Sequence, residues 1–313
     1  MCGIAGSINF SLDIPRLTKD LYHRGPDEQT TFEENCVQFH HHRLSILDIA
    51  GGKQPMHFEH LTIIFNGEIY NHLEVRDKYG FNCITRSDTE TILHAYALLG
   101  AKCLDDFDGM FAFAIYDRKK NELFLARDRA GKKPLYYFSD GRRFVFASEL
   151  NALSNQLSLS VNDNAIQQYI RAGYFFRSTT PYIGVSELPA GSYAIVPLPG
   201  LEIKVTRWWD IHPFYLQESK DDFETALHKT DQLIHEAVKR RVNSSDLEVG
   251  SFLSGGIDSG LVTAIAKEYN PSLKTFTVSF EGDFDEAPLA KLVADRYKTS
   301  HTEIKLSFTP SYQ

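Results

Sequence analysis

Cys2 is the residue whose position most directly suggests chemistry. A thiolate, not a thiol, attacks carbonyl carbon, and a free cysteine has a pKa of ~8.5, so a nucleophilic cysteine wants a base beside it. With Met1 removed, Cys2 becomes the first residue and carries its own α-amine. Such an amine has a pKa of ~7.7–8.0, is partly deprotonated at neutral pH and lies within water-bridged reach of the sulfur. A small residue at position two favours that removal, although position alone does not separate this reading from an incidental terminal cysteine. A second candidate, Ser254-Gly255-Gly256-Ile257-Asp258-Ser259, follows an apolar run and opens a helical pattern. A Gly-Gly turn feeding a helix N-terminus points backbone N–H groups at an anion. No Gly-Lys-Ser/Thr closes it, so it is not a Walker A loop; an ordinary strand-to-helix turn is the alternative. His40-His41-His42 has the composition of a metal tract, but no carboxylate or cysteine completes it, and a strand-edge or surface run is expected. Cys36, Cys83 and Cys103 have no C-x-x-C spacing and read as small core or surface residues.

These groups need elements to hold them. Leu61–Phe65 and Met110–Tyr116 are compact apolar runs. The second turns at Asp117–Asn121 and returns as Leu123–Ala126, a hairpin. Leu135–Phe138 and Arg143–Phe146 flank Ser139-Asp140-Gly141, a second hairpin, and 193–196 with 203–205 form a third around Pro197–Gly200. Ser87-Asp88-Thr89-Glu90 reads as a capping box opening a helix through Ile92, Leu93, Tyr96 and Leu99, closed by Gly100. Consecutive strands joined by tight turns predict antiparallel sheets. The grammar changes after Trp208-Trp209-Asp210. Residues 211–222 read as a linker, and Phe223, Leu227, Ile234 and Val238 as one face of a helix. Strand (249–253), helix (261–267), strand (275–280), helix (287–297) and strand (302–306) then spell βαβαβ, the start of a parallel doubly wound sheet.

Composition sets outer bounds. The chain has 313 residues, 42% hydrophobic and 24% charged, with 33 basic against 41 acidic residues and a formal charge of −8. This is ordinary globular usage, enough for about two domains. With no basic run longer than three residues (Arg118-Lys119-Lys120 and Lys239-Arg240-Arg241; Arg142-Arg143 is a pair), no nucleic-acid partner is expected. No stretch approaches the ~20 apolar residues of a membrane helix, and the first residues lack a basic leader. Four scattered cysteines predict reduced thiols and a cytoplasmic setting.

Several short segments occur in a fixed order: Met1–Gly6, His23-Arg24-Gly25-Pro26-Asp27, Arg43-Leu44-Ser45-Ile46, Asn66-Gly67-Glu68-Ile69-Tyr70-Asn71 and Arg86–Glu90. Phe107–Ala114, Arg127-Asp128-Arg129 and Lys133–Tyr137 continue the series. The ordered set closely resembles the glutamine-dependent asparagine synthetases, whose glutaminase half is a class II, N-terminal-nucleophile amidotransferase. The resemblance implies an α+β N-terminal domain over 1–210, an αββα N-terminal-nucleophile hydrolase sandwich. A partial α/β pyrophosphate-loop ATPase-like domain over 211–313 would follow, its loop at 254–259. It implies that Cys2 attacks the carboxamide of glutamine, with the Asn66 side-chain amide and the Gly67 N–H as oxyanion donors. Arg43, Leu44, Ser45 and Ile46 would bind glutamine together with Asn66, Gly67, Glu68 and Asp88. Arg43 would take the α-carboxylate; Asp88, with the Glu68 segment, would take the α-ammonium. Leu253, Ser254, Gly255, Gly256, Asp258, Ser259 and Val278 would bind ATP, with Asp258 at the pyrophosphate and Mg²⁺ end. Asp285-Glu286-Ala287 and His301-Thr302-Glu303 resemble the segments that follow. The partners implied are glutamine, aspartate and ATP, with a homodimer as an allowed assembly and no membrane. No cofactor is implied for the glutaminase half. The family's later acidic G-D-G-A-D-E segment has no match in 1–313, which points to a synthetase half that is truncated. Rival readings are an amidotransferase for another carboxylate, such as a sugar acid or peptide, and a glutaminase-only or regulatory remnant.

Overall fold

The computed structural model describes residues 1–280 and 285–307. The chain divides into two compact units, Met1–Gln217 and Glu218–Gln313.

Two six-stranded sheets build the first unit. One runs, in spatial order, Val185–Glu187, Tyr136–Ser139, Phe144–Ala147, Gly3–Ile8, Val37–Arg43 and Glu28–Glu34. The other runs Lys204–Arg207, Ser192–Pro197, Glu122–Arg127, Gly109–Asp117, Leu61–Ile69 and Met56–Phe58. Neighbouring strands in both are antiparallel, as the hairpins predict.

Successive side chains on a strand point to opposite faces, and here both faces are covered. Ile4 and Phe39 from one sheet meet Ile64 and Leu125 from the other in a core between the sheets. The intervening residues face outward. Ile63, Phe113 and Phe124 pack under Ile92, Leu93 and Tyr96 of the helix Asp88–Leu99. Ala5, Val145 and Ala147 pack under Leu17, Leu21 and Leu153 of the helices Ile14–Leu21 and Leu150–Gln156. The result is a helix–sheet–sheet–helix sandwich. Burial on both faces is why these strands read as unbroken apolar runs rather than alternating ones.

Several local expectations are revised. Ser87 caps its helix by accepting from the Thr89 N–H, but Glu90 does not close the box. Its carboxylate instead accepts the N–H groups of Ile84 and Thr85 at 2.8 and 2.7 Å, pinning the loop before the helix. The three histidines are not at an edge or on the surface. Val37–Arg43 lies between two other strands, and all three rings are about 1% exposed. Burial lowers their pKa values, to about 4 for His40 and about 3 for His41, so they are neutral. Part of the 211–222 linker is a short helix, His212–Tyr215, whose Phe214 stacks on Trp209 at 6.1 Å.

In the second unit Gly250–Phe252, Lys274–Phe280 and Ser300–Leu306 form a parallel sheet in chain order. Helices Ile257–Tyr269 and Ala287–Tyr297 are its crossovers, so the βαβαβ pattern is present. The helix Phe223–Val242 buries only its C-terminal end, with Val238 against Ile265 and Leu273; Phe223 and Leu227 are exposed. Among the described residues no helix is long and apolar enough to cross a membrane.

Candidate active site

The antiparallel ladder pairing Gly3 with His42 brings Cys2, just before its strand, beside Arg43, the last residue of the neighbouring one. Leu61–Ile69 of the second sheet delivers Asn66, Gly67 and Glu68 to the same place. Asp88 stands in the first turn of its helix. A cavity of about 70 Å³ opens there, lined by Cys2, Arg43, Leu44, Ile46, Asn66, Gly67, Glu68 and Asp88 among others, with Met1 still on its wall. Ser45 is not part of the lining; its N–H donates to Asp27 at 2.7 Å.

The Cys2 sulfur lies 3.5 Å from the Leu44 nitrogen and 3.8 Å from the Leu44 oxygen. Burial raises its thiol pKa, partly offset by the Leu44 contact, the terminal amine and Arg43. The Met1 α-amine moves the other way: burial lowers it, and Lys133 and Arg24 lower it further.

Asn66 is fully buried, yet neither its Oδ1 nor its Nδ2 has a hydrogen-bond partner. Leaving such a group unpaired costs ~1–3 kcal/mol, so an amide in this state is spare capacity aimed at something absent. At position 67 only glycine fits, because a Cβ would run into the Met110 carbonyl oxygen and the Phe111 Cα.

Arg43 is 4% exposed. Its Nη1 donates to the Ile49 carbonyl and its Nη2 to the Asp48 carbonyl, both at 2.8 Å, and Glu28 lies 3.5 Å away. It therefore braces the 44–52 loop as well as facing the cavity. Asp88 is pushed up to about 7, mainly by burial and further by Glu68; N–H groups of Ile69 and Thr89 oppose the shift.

Three supporting groups escaped sequence reasoning. Lys133 is 2% exposed and lines the cavity. Its loop is held by Asp128, which accepts from the N–H groups of Ala130, Lys132 and Lys133, and by Arg127, which donates to the Lys133 and Gly131 carbonyls at 2.7 Å. Gln54 accepts the Phe65 N–H at 2.6 Å and donates to Thr89 at 3.3 Å, linking strand to helix. Arg24 donates to the Cys2 carbonyl at 3.0 Å. Lys133 and Arg24 lie inside segments of the ordered set that carries the resemblance, which was the signal available; Gln54 carries none.

In the second unit Ser254 and Ser259 hydroxyls meet at 3.0 Å across the loop, and the Gly256 N–H reaches the Ser254 hydroxyl at 3.4 Å. Gly255 has φ +84°, and a Cβ there would press on the Glu286 carbonyl and the Ala290 nitrogen. Leu253, Ser254, Ser259 and Val278 share a depression of about 390 Å³ with Phe252, Phe276, Thr277, Phe280 and Glu286. Asp258 is exposed in the first turn of the following helix.

A family model described as Glutamine amidotransferase domain matches residues 1–209, and one described as Asparagine synthase matches 229–309. A Methanocaldococcus jannaschii protein carrying the provisional name asparagine synthetase (glutamine-hydrolyzing) 2 is 36% identical over 96% of this chain and 64% of its own length. Asparagine synthetase (glutamine-hydrolyzing) 3 of Bacillus subtilis is 32% identical over 98% of this chain and 54% of its own. The chain thus spans roughly half to two thirds of these relatives. A solved structure of glutamine phosphoribosylpyrophosphate amidotransferase from B. subtilis aligns over 93% of this chain and 79% of that one, at 16% identity and a TM-score of 0.48. With its first two thirds matched by the glutamine amidotransferase domain model, and a half-buried cysteine beside a buried amide and carboxylate on one cavity, the chain belongs to the glutamine amidotransferase domain family.

Proposed function

We propose that Cys2 hydrolyses glutamine and that the ammonia serves an ATP-dependent amidation of aspartate through aspartyl-AMP. The observation that carries the first half is the buried, unpartnered Asn66 amide on the cavity that holds Cys2. After loss of Met1 the α-amine of Cys2 takes the thiol proton. The sulfur attacks the carboxamide carbon, and the developing oxyanion would be met by the Asn66 Nδ2 and the Gly67 N–H, pre-aimed donors of the kind such charge needs. Ammonia leaves with a proton returned by the amine, and water cleaves the thioester to glutamate. Arg43 pairs the α-carboxylate; Asp88 and Glu68 pair the α-ammonium.

The second half rests on the loop at 254–259 and on the names of the relatives. Leu253 and Val278 would flank the nucleotide, and Ser254, Gly255, Gly256 and Ser259 would take its phosphates. Mg²⁺ is commonly held by one or two carboxylates plus substrate phosphates, and the exposed carboxylate of Asp258 suits such a shared site. Bound there, the ion would neutralise phosphate charge.

The test is glutamate release. Cys2→Ala should abolish it while glutamine still binds, and an N-terminal tag that cannot be cleaved should do the same, because it turns the amine into an amide. Undiminished hydrolysis by protein retaining Met1 would overturn the mechanism. The acceptor is read separately, by ATP-dependent amidation with aspartate against a sugar acid or peptide.

A further inference from the structure

Away from the cavity, Cys83, Glu90 and His94 offer a thiol sulfur, a carboxylate oxygen and an imidazole nitrogen that all lie within 4.8 Å of one another. Glu90 and His94 are one turn apart on the helix Asp88–Leu99; Cys83 reaches them from the loop before it. Tetrahedral Zn²⁺, with bonds of ~2.0–2.3 Å, sets ligand–ligand edges of roughly 3.3–3.6 Å. The present spread thus needs side-chain adjustment of about an ångström.

The surroundings fix each group. His94 lies against Phe58 at 4.0 Å and Phe81 at 5.4 Å between ring centroids, and its Nε2 is 3.8 Å from Glu90 Oε1. The Glu90 carboxylate is oriented by Ile84, Thr85 N–H and the Thr85 hydroxyl, the kind of outer support that ligating carboxylates have. One charge opposes a cation. Arg76 is near enough to act on all three groups, but its guanidinium is turned to the Thr85 and Ser87 carbonyls and the Thr91 hydroxyl.

We propose that Cys83, Glu90 and His94 form a binding site for a borderline-soft divalent transition metal, Zn²⁺ above all, with a fourth position left to water. A mixed S, N and O set selects Zn²⁺ over Mg²⁺ or Ca²⁺, which take oxygen ligands. The metal would tie the loop through 83–87 to the helix that presents Asp88.

The Cys2 thiol could itself take a thiophilic metal, so the experiment uses Cys2→Ser protein as parent. Co²⁺ titration of it should produce a thiolate charge-transfer band and Zn²⁺ should displace the Co²⁺, while Mg²⁺ does neither. Cys83→Ser should remove the band, and His94→Gln should weaken metal binding at least tenfold. Unmodified protein supplies an arm independent of any variant's folding. Zn²⁺ should slow alkylation of Cys83 while leaving Cys36 unaffected, read by peptide mass mapping. An unchanged band in Cys83→Ser, or equal alkylation of Cys83 with and without Zn²⁺, would overturn the site.

Discussion

Asp88 Oδ2 accepts the backbone N–H of Ile69 at 2.9 Å. That bond ties the start of one helix to the strand that carries Asn66 and Gly67. The group proposed for the α-ammonium and the groups proposed for the oxyanion are thereby held by one strand, and a shift in either is felt by both.

Because Asp88 sits near pKa 7 without substrate, it must be ionised to pair an ammonium. Glutamine binding should therefore release a proton, and affinity should fall by up to about tenfold per pH unit below 7. Equilibrium binding to Cys2→Ala protein between pH 6 and 8 isolates this from catalysis; a flat profile would exclude it. The stability sign is opposite. A folded pKa raised above the unfolded value favours folding at low pH, and the gain is lost as pH rises through about 7. Asp88→Asn should then melt higher than the parent at pH 8, by roughly 2–4 °C per kcal/mol, while losing glutamine affinity.

Asn66→Ala should lower kcat by about 10²–10³ with a smaller change in KM. It should not lower the melting temperature, because it removes a buried amide with no protein partner. A large stability loss with intact kcat would reverse the assignment.

Arg43→Ala should raise KM for glutamine, since pairing with the α-carboxylate exists in ground and transition states alike. Unlike Asn66→Ala it should also destabilise, by about 1.5–3 kcal/mol for each charged hydrogen bond lost at Asp48 and Ile49. Denaturant unfolding and glutamine kinetics on one preparation separate the two effects.

Burial, and then Lys133, lower the α-amine of Met1, and Lys133 on the same cavity wall should likewise make the Cys2 amine a base at lower pH once Met1 is gone. Lys133→Met should move the acidic limb of kcat/KM upward by about half a unit, and Lys133→Arg should restore it. A loss of rate with no movement of the limb would mean that Lys133 only packs.

Acid should unfold the first unit early. Burial lowers His40 and His72 to about 4 and His41 to about 3. Their stabilisation is present above the unfolded value of ~6.5 and is lost progressively as pH falls toward the folded values. Asp88 opposes them over much of that window. More protons are gained on unfolding, by these histidines, than Asp88 releases, so stability falls as pH falls. Urea midpoints between pH 6.5 and 4.5 should fall accordingly; a constant midpoint would show charged histidines in the folded state.

Much was legible in the linear chain because chemistry and turns are local. Cys2, Asn66, Gly67 and Asp88 stood in short segments of one ordered set, and hairpins announced themselves by apolar runs around turn residues. Other features depended on which strand landed in the middle. The His40–His42 run reads as polar, yet it is buried because Val37–Arg43 has a neighbour on each side and layers above and below. Glu90 had the spacing of a capping box, but the nearer N–H groups of Ile84 and Thr85 captured it. Ser45 shared a segment with Arg43, but its backbone N–H bonds Asp27 and it is not part of the cavity lining. Lys133, far along the chain, came to the site because Asp128 and Arg127 bend its loop back. By itself the sequence determined the cysteine, its companions and the two-part pattern. Only the tertiary structure decided their burial, charge state and partners, because these depend on the dielectric and donors that distant segments bring together.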